Sequence, residues 1–173
     1  MQIMPTDPVI RAAGGFAILS GIISAIGVVF LIAMFILFTT PYQAQALTFG
    51  LLNDICVSVQ YLLTIPIALA LYRILRPYSP TLILVATIVG ILAMLLIIAL
   101  QLALIFQVLT FQQQGFWVSL AIIVGAGSWL LITGLVSRSI GRLPSSVIMS
   151  AVAVPYFGYP VWAFWLGRHL LRW

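Results

Sequence analysis

The residues best suited to chemistry cluster in one apolar stretch of the chain, residues 47–72. On a helix with about 100° per residue, six polar side chains of this stretch share one face: Asn53, Asp54, Ser58, Gln60, Tyr61 and Thr64. A polar face on an apolar helix must look into a bundle or a hydrated cavity, because lipid cannot satisfy its hydrogen bonds. Carboxylate, amide and hydroxyl groups in this arrangement can bind a proton, a cation or a small polar solute.

Asp54 is the only acid within any apolar stretch of the chain. A carboxylate inside a membrane must be paired, hydrated or protonated, because burying it alone is costly. Two roles are open for it: a proton or cation site lined by Asn53, Gln60 and Tyr61, or an interhelical hydrogen-bond anchor near the membrane surface. Arg168 is a possible ion-pair partner if the last apolar stretch carries it to the same side of the membrane.

The composition places these residues in a membrane protein. Of 173 residues, 64% are hydrophobic and only 5% are charged, whereas a soluble domain carries about 25% charged residues. Five apolar runs are long enough to cross a bilayer, which takes about 20 residues: residues 12–38, 47–72, 80–107, 116–138 and 146–168. The loops between them are short, so consecutive helices are antiparallel neighbours. We predict a single all-α transmembrane domain of about five spans over residues 1–173.

The positions of the arginines orient this bundle. With the N-terminus in the cytoplasm, five arginines fall inside: Arg11, Arg73, Arg76, Arg138 and Arg142. The two loops that then face outward, about 39–46 and 108–115, contain no basic residue. This distribution follows the positive-inside rule and predicts a cytoplasmic N-terminus. Arginines scattered at the ends of spans also argue against a nucleic-acid partner.

The last span conflicts with this orientation. A fifth crossing would place Arg168 and Arg172 outside the cell. Residues 155–160 contain two prolines and a glycine and predict a break, either a kink in a full crossing or the turn of a re-entrant hairpin. We expect a kinked full crossing, because each arm of a hairpin would have only about ten residues. Tyr159 and Trp162 suit an interfacial aromatic belt in either case.

Small residues predict how the helices pack. Membrane helices associate through close contacts at small side chains. Two spans carry such residues at regular spacing, and we interpret them as facing seams: Ala13, Ala17, Gly21 and Ala25 in span 1, and Ala121, Gly125, Gly127 and Gly134 in span 4.

Most catalytic chemistry has no visible residues in this sequence. The chain has one histidine, His169, and one cysteine, Cys56. It contains neither the residues for a bis-histidine haem or a metal cluster nor the usual hydrolase and nucleotide-binding motifs. We therefore predict no cofactor, no metal and no enzymatic activity.

Two stretches resemble a known group of proteins. They are Asn53-Asp54 leading into PIALALYRILR at 66–76, and YPVWAFWLGR at 159–168. Together they are similar to bacterial integral membrane proteins of the DUF4386-like kind. The resemblance implies a bundle of about six spans with basic cytoplasmic loops in the bacterial inner membrane, and it implies no activity or cofactor. This chain departs from it by being one span shorter near its C-terminus.

Two classes of function follow. The first is a non-enzymatic accessory or structural protein that binds lipid, other membrane subunits or further copies of itself. The alternative is a small proton- or cation-coupled transporter or channel built around Asp54. Because no internal inverted repeat is visible, and such repeats are typical of carriers, the sequence favours the first class.

Overall fold

The computed structural model describes residues 7–141 and 155–172, and within these ranges the chain is helical, with no strand. The helices are α1 (Pro8–Phe38), α2 (Gln43–Leu75), α3 (Pro80–Ile105), α4 (Phe111–Ile140) and α5 (Pro155–Leu170). Helices α1 to α4 are each long and apolar enough to cross a membrane. The predicted all-α membrane bundle is confirmed.

Helices α1 and α4 begin earlier than the predicted apolar stretches, and a polar side chain caps each of them. The Asp7 carboxylate accepts a hydrogen bond from the backbone N–H of Val9 (3.0 Å), and Pro8 occupies the first helical position. At the start of α4, the Thr110 hydroxyl accepts from the Gln113 N–H (3.3 Å), and the Gln113 side chain accepts from the Thr110 N–H (3.1 Å). This capping box starts α4 five residues before the predicted span at 116.

Helix α4 contains one π-helical turn, Ala121–Ala126. The N–H of Gly127 bonds to the carbonyl of Ile122, five residues back, instead of four. The helix ends at Gly141, whose φ of 67° is a left-handed conformation that glycine adopts without strain. The extra residue in the π turn changes which side chains of α4 face the bundle on either side of it.

Helices α1 and α2 run antiparallel. At one end Asp7 forms an ion pair with Arg73 (3.3 Å), and near the other end the rings of Phe30 and Phe49 lie 5.9 Å apart. Helices α3 and α4 pair in the same way, as the short connections predict.

Helix α5 runs antiparallel to α1 and covers only part of it. Gly167 of α5 lies against Gly14, and Pro160 lies against Gly21. With 16 residues, α5 is about 24 Å long, whereas α1 with 31 residues is about 46 Å long. Helix α5 therefore ends beside the beginning of α1.

This direction differs from the expected full crossing, which would carry the last turn of α5 to the opposite side. The helix also continues through Pro160 instead of breaking there. Residues 146–154 of the predicted fifth span lie outside the described residues.

All six arginines of the described ranges now lie at one end of the bundle: Arg11, Arg73, Arg76, Arg138, Arg168 and Arg172. We call this the basic end, and the opposite end the far end. The return of Arg168 and Arg172 to the basic end removes the conflict with the positive-inside rule.

The two small-residue seams do not face each other. The seam of α1 packs against α5, where Gly14 meets Gly167 so closely that a Cβ on Gly167 would lie 2.7 Å from the Gly14 carbonyl oxygen. The seam of α4 packs against α3, with Gly125 directly on Ala93. The sequence pattern identified both close contacts but not their partners, because α5 occupies the position that α4 was expected to fill.

The bundle is closed at one end and open at the other. Among the described helices, α1 packs along α2 and α5, and α4 packs along α3, but α1 and α4 have no extended contact with each other. Near the basic end α5 lies between them, and its Trp162 meets Trp129 of α4 edge to face with ring centroids 6.1 Å apart. We call the part of the bundle that α5 covers the basic half, and the remainder the far half.

Candidate functional site

The far half encloses a cavity of about 350 Å³ between α1, α2, α3 and α4. This volume lies at the lower end of the range for small-molecule sites. Its polar lining comes from all four helices: Ser24, Asn53, Asp54, Gln60, Tyr61, Gln101, Gln114 and Ser119. We call it the Asp54 cavity.

Four of the six predicted site residues line this cavity: Asn53, Asp54, Gln60 and Tyr61. The other two lie elsewhere. The Ser58 hydroxyl donates to the backbone carbonyl of Asp54 (2.9 Å), so it is occupied within its own helix. Thr64 lies one turn beyond the cavity and lines a separate, smaller pocket. The predicted polar face of α2 is thus divided between two environments.

Asp54 is 8% exposed and lies about 16 Å along the axis of α2 from its first residue. The neighbouring Asn53 side chain lines the same cavity. Within the part of the chain that the structure describes, the one ion pair is Asp7 with Arg73, at the basic end.

The predicted pairing of Asp54 with Arg168 is not formed. Arg168 is exposed in the last turn of α5, beside Gly167, which packs against Gly14 in the second turn of α1. Because α5 runs toward the basic end, it carries Arg168 away from the cavity. The Asp54 carboxylate is left facing neutral amide and hydroxyl groups.

Two glutamines that the sequence analysis did not assign to the site form the wall opposite α2. Gln101 and Gln114 are 3% and 5% exposed, and the Gln114 amide donates to the Gln101 side-chain oxygen. The sequence signal was available: the two residues lie on either side of one short interhelical connection, so antiparallel helices bring them together. Gln114 was expected in the loop at about 108–115. The capping box at Thr110 starts α4 at Phe111, so Gln114 lies in the helix.

Gly27 brings α1 close to the polar face of α2. A Cβ at this position would lie 3.1 Å from the Cys56 Cβ and 3.6 Å from the Asn53 Oδ1. Ser24, one turn earlier on α1, adds a buried hydroxyl group to the cavity wall. Two small residues of α1 that lie outside its predicted packing seam therefore shape the cavity.

Exposed side chains mark the mouth of the cavity. Phe35 near the end of α1 and Phe111 at the start of α4 are 58% and 59% exposed, and Ser119 is exposed two turns further along α4. The mouth therefore begins at the far end and continues down the side of the bundle between α1 and α4.

The polar side chains of the basic half are in a different environment from those that line the Asp54 cavity. The Tyr159 hydroxyl is hydrogen-bonded with Ser20 (2.7 Å) and with Thr64, and the Ser20 hydroxyl donates to the carbonyl of Gln60 (3.2 Å). Tyr159 is 5% exposed and Trp162 is 1% exposed. Both were expected at the membrane interface; instead, the glycine and alanine face of α5 lies on α1 and places them inside the bundle.

A second pocket of about 100 Å³ lies between the Asp54 cavity and this hydrogen-bonded group. It shares Tyr61 and Ile122 with the Asp54 cavity, and its lining is mostly apolar. The indole N–H of Trp129, also on its wall, has no hydrogen-bond partner among the described residues. Tyr61 therefore separates a polar compartment in the far half from a smaller one toward the basic half.

The donor set of the Asp54 cavity limits its chemistry. The described residues contain no group of three or more histidine, cysteine or acidic side chains, which is the kind of group that transition metals require. One carboxylate among amides can hold a singly charged cation, a proton or a polar solute.

No family model, curated protein or solved structure matches this chain. Its function is therefore argued from the geometry of the bundle.

Proposed function

We propose that this integral membrane protein is a small carrier that binds its solute in the Asp54 cavity. The observation that carries the proposal is a buried carboxylate that faces an amide-lined cavity and is not neutralised by any cation of the described residues. A purely structural anchor would have its oxygens occupied by neighbouring helices, as the Tyr159 hydroxyl is. Acids inside membranes mark solute or proton pathways as a rule.

The second pocket supports a carrier rather than a surface receptor. A carrier needs a route from its binding site to the other side of the membrane. The pocket beyond Tyr61 extends from the Asp54 cavity toward the basic half, where the bundle is closed by α5. Rotation of the Tyr61 ring and displacement of α5 are the movements that this route requires.

We further propose that the protein resides in the bacterial cytoplasmic membrane, with its basic end in the cytoplasm and the Asp54 cavity on the outer side. The six arginines at one end support this orientation. The resemblance to DUF4386-like proteins supports the bacterial inner membrane. The lack of a catalytic constellation in the sequence supports a non-enzymatic function without a cofactor.

Transport by proteoliposomes tests the carrier function. Vesicles containing the full chain receive a labelled sugar, a neutral amino acid, an amine and a carboxylate, and entry of each is compared with protein-free vesicles. Ser119→Trp fills the mouth, and Ser139→Trp, at an exposed position of the basic half of the same helix, is the control. We expect at least one solute to enter, and entry to be lost in Ser119→Trp alone. Entry of none of them, or equal entry with both variants, would refute the carrier.

An accessory role remains the second candidate, and one observation favours it. Among the described helices, the far halves of α1 and α4 have no extended contact, and a helix of another subunit or another copy would fit between them. Purification from native membranes in mild detergent tests this role. A stoichiometric partner or a stable homo-oligomer supports it, and a monomer without partners contradicts it.

A further inference from the structure

We propose that the solute of the Asp54 cavity is an amphiphilic monovalent cation, a protonated amine attached to an apolar body. This inference rests on the proposed carrier function and narrows it from any small solute to one charge class and one shape.

Charge is the first argument. Asp54 is the one charged residue in the cavity lining, and the six described arginines lie at the basic end. An anion in this cavity would meet the carboxylate with no cation to offset it, and desolvating that pair would be costly. A divalent cation bound to the single carboxylate would leave a net positive charge in the cavity. Mg²⁺ and Ca²⁺ also require about six or more oxygen ligands. A monovalent cation neutralises Asp54 one to one.

Hydrogen bonding is the second argument. A primary ammonium group has three N–H donors and no acceptor. The cavity presents acceptors around Asp54, namely its carboxylate oxygens and the side-chain oxygens of Asn53 and Gln60. The Asn53 Oδ1 lies close to Gly27 of α1, 3.6 Å from where a Cβ at that glycine would stand. An ammonium group can therefore satisfy its donors without displacing a helix.

The apolar part of the lining is the third argument. The cavity is also bounded by large apolar side chains of α1 and α4, including Leu31, Phe35, Phe111 and Val118. Phe35 and Phe111 are at the mouth, and both are more than half exposed. An amine with an apolar body would contact these side chains as it reaches Asp54 through the gap between α1 and α4.

The volume limits the size of the solute. A cavity of 350 Å³ corresponds to about a dozen water molecules at about 30 Å³ each. A ring with a short aminoalkyl chain fits this space, whereas a phospholipid does not.

Protection of a mouth cysteine from alkylation tests the charge class. Ser119→Cys in a Cys56→Ala background is reacted with N-ethylmaleimide, using the full chain in nanodiscs. The probes are phenethylamine, phenylethanol and phenylacetate, which share a ring and a two-carbon substituent but carry charges of +1, 0 and −1. We expect phenethylamine to slow alkylation at least tenfold at a concentration where the other two change it less than twofold.

Two variants identify the group that selects the amine. Asp54→Asn should abolish protection by phenethylamine, and Asp7→Asn, which neutralises the only other acid of the chain, should retain it. The wild-type comparison of the three probes decides the question even if Asp54→Asn fails to fold. Equal protection by all three probes, protection by phenylacetate alone, or no protection by any probe overturns the charge class.

These failures are separate from failure of the carrier. Entry of an uncharged or anionic solute into proteoliposomes, blocked by Ser119→Trp, would leave the carrier intact while overturning the amine. Selective protection by phenethylamine without entry of any solute would support the amine site and refute the carrier.

Discussion

Polar side chains occur in both halves of the bundle, but they have different neighbours. In the basic half, Ser20, Thr64 and Tyr159 hydrogen-bond with one another between closely packed helices. In the far half, Asp54 and Gln60 lie on the same helix as Thr64 but line a cavity. The difference arises from α5, which fills the space between α1 and α4 in one half only. An intramembrane polar residue therefore indicates a site only where the surrounding helices leave it accessible.

The largest loss of stability is expected when the close contact between α1 and α5 is disrupted. In Gly167→Ala, the new methyl group would lie 2.7 Å from the backbone oxygen of Gly14, which cannot move without shifting α1. We expect a loss of about 1–3 kcal/mol in the free energy of unfolding, as for other overpacked cores, measured by denaturant unfolding in detergent micelles.

Gly15→Ala is the matched control, because no described residue lies within 4 Å of a Cβ at Gly15. Equal stability of the two variants would contradict the packing of α5 on α1.

A smaller loss of stability is expected when the Tyr159 hydroxyl is removed, because it joins α5 to α1 and α2 in the basic half. Tyr159→Phe removes the hydrogen bonds to Ser20 and Thr64, although the hydroxyls of both still donate to the Gln60 carbonyl. We expect a loss of about 1 kcal/mol in unfolding free energy. Tyr42→Phe, at a position 58% exposed near the far end, should change it by less than about 0.5 kcal/mol. A Tyr159→Phe protein as stable as wild type would show that this group does not hold the basic half together.

The smallest effect on stability is expected in the far half. Removing one partner of a buried ion pair costs about 3–5 kcal/mol, but Asp54 has no such partner among the described residues. Measured in the same micelles, Asp54→Asn should therefore lower the unfolding free energy by no more than about 0.5 kcal/mol, because it also removes a charge that is costly to bury. A loss of several kcal/mol would mean that Asp54 is a structural anchor and would remove the contrast between the two halves.

The polar face of α2 and the all-α bundle could be predicted from local pattern alone. Span lengths follow from hydropathy, and the shared face of Asn53, Asp54, Gln60 and Tyr61 follows from helical periodicity. The direction of α5 could not be derived in this way, because its sixteen residues fit either a kinked crossing or a partial span. The positive-inside rule favours the observed direction. We expected a full crossing instead, because each arm of a hairpin would have only about ten residues.

The remaining misassignments follow from that direction. Tyr159 and Trp162 were expected at the interface because aromatic side chains near a chain end are common there; they are buried because α5 turns that face toward α2 and α4. The contribution of Gln101 and Gln114 depends on the pairing of α3 with α4 near their connection. The positions of these four side chains depend on contacts between helices, which cannot be predicted from the residue pattern within one helix.

Accessibility of cysteines to a charged thiol reagent tests the contrast between the halves most directly. Gln114→Cys and Thr133→Cys lie on the same helix at positions that are 5% and 1% exposed, the first in the Asp54 cavity and the second in the basic half. In a Cys56→Ala background, a membrane-impermeant methanethiosulfonate is added to intact cells from the outer side. The structure predicts rapid modification of Gln114→Cys and none of Thr133→Cys. Equal modification of both, or modification of Thr133→Cys alone, would contradict a water-accessible cavity in the far half.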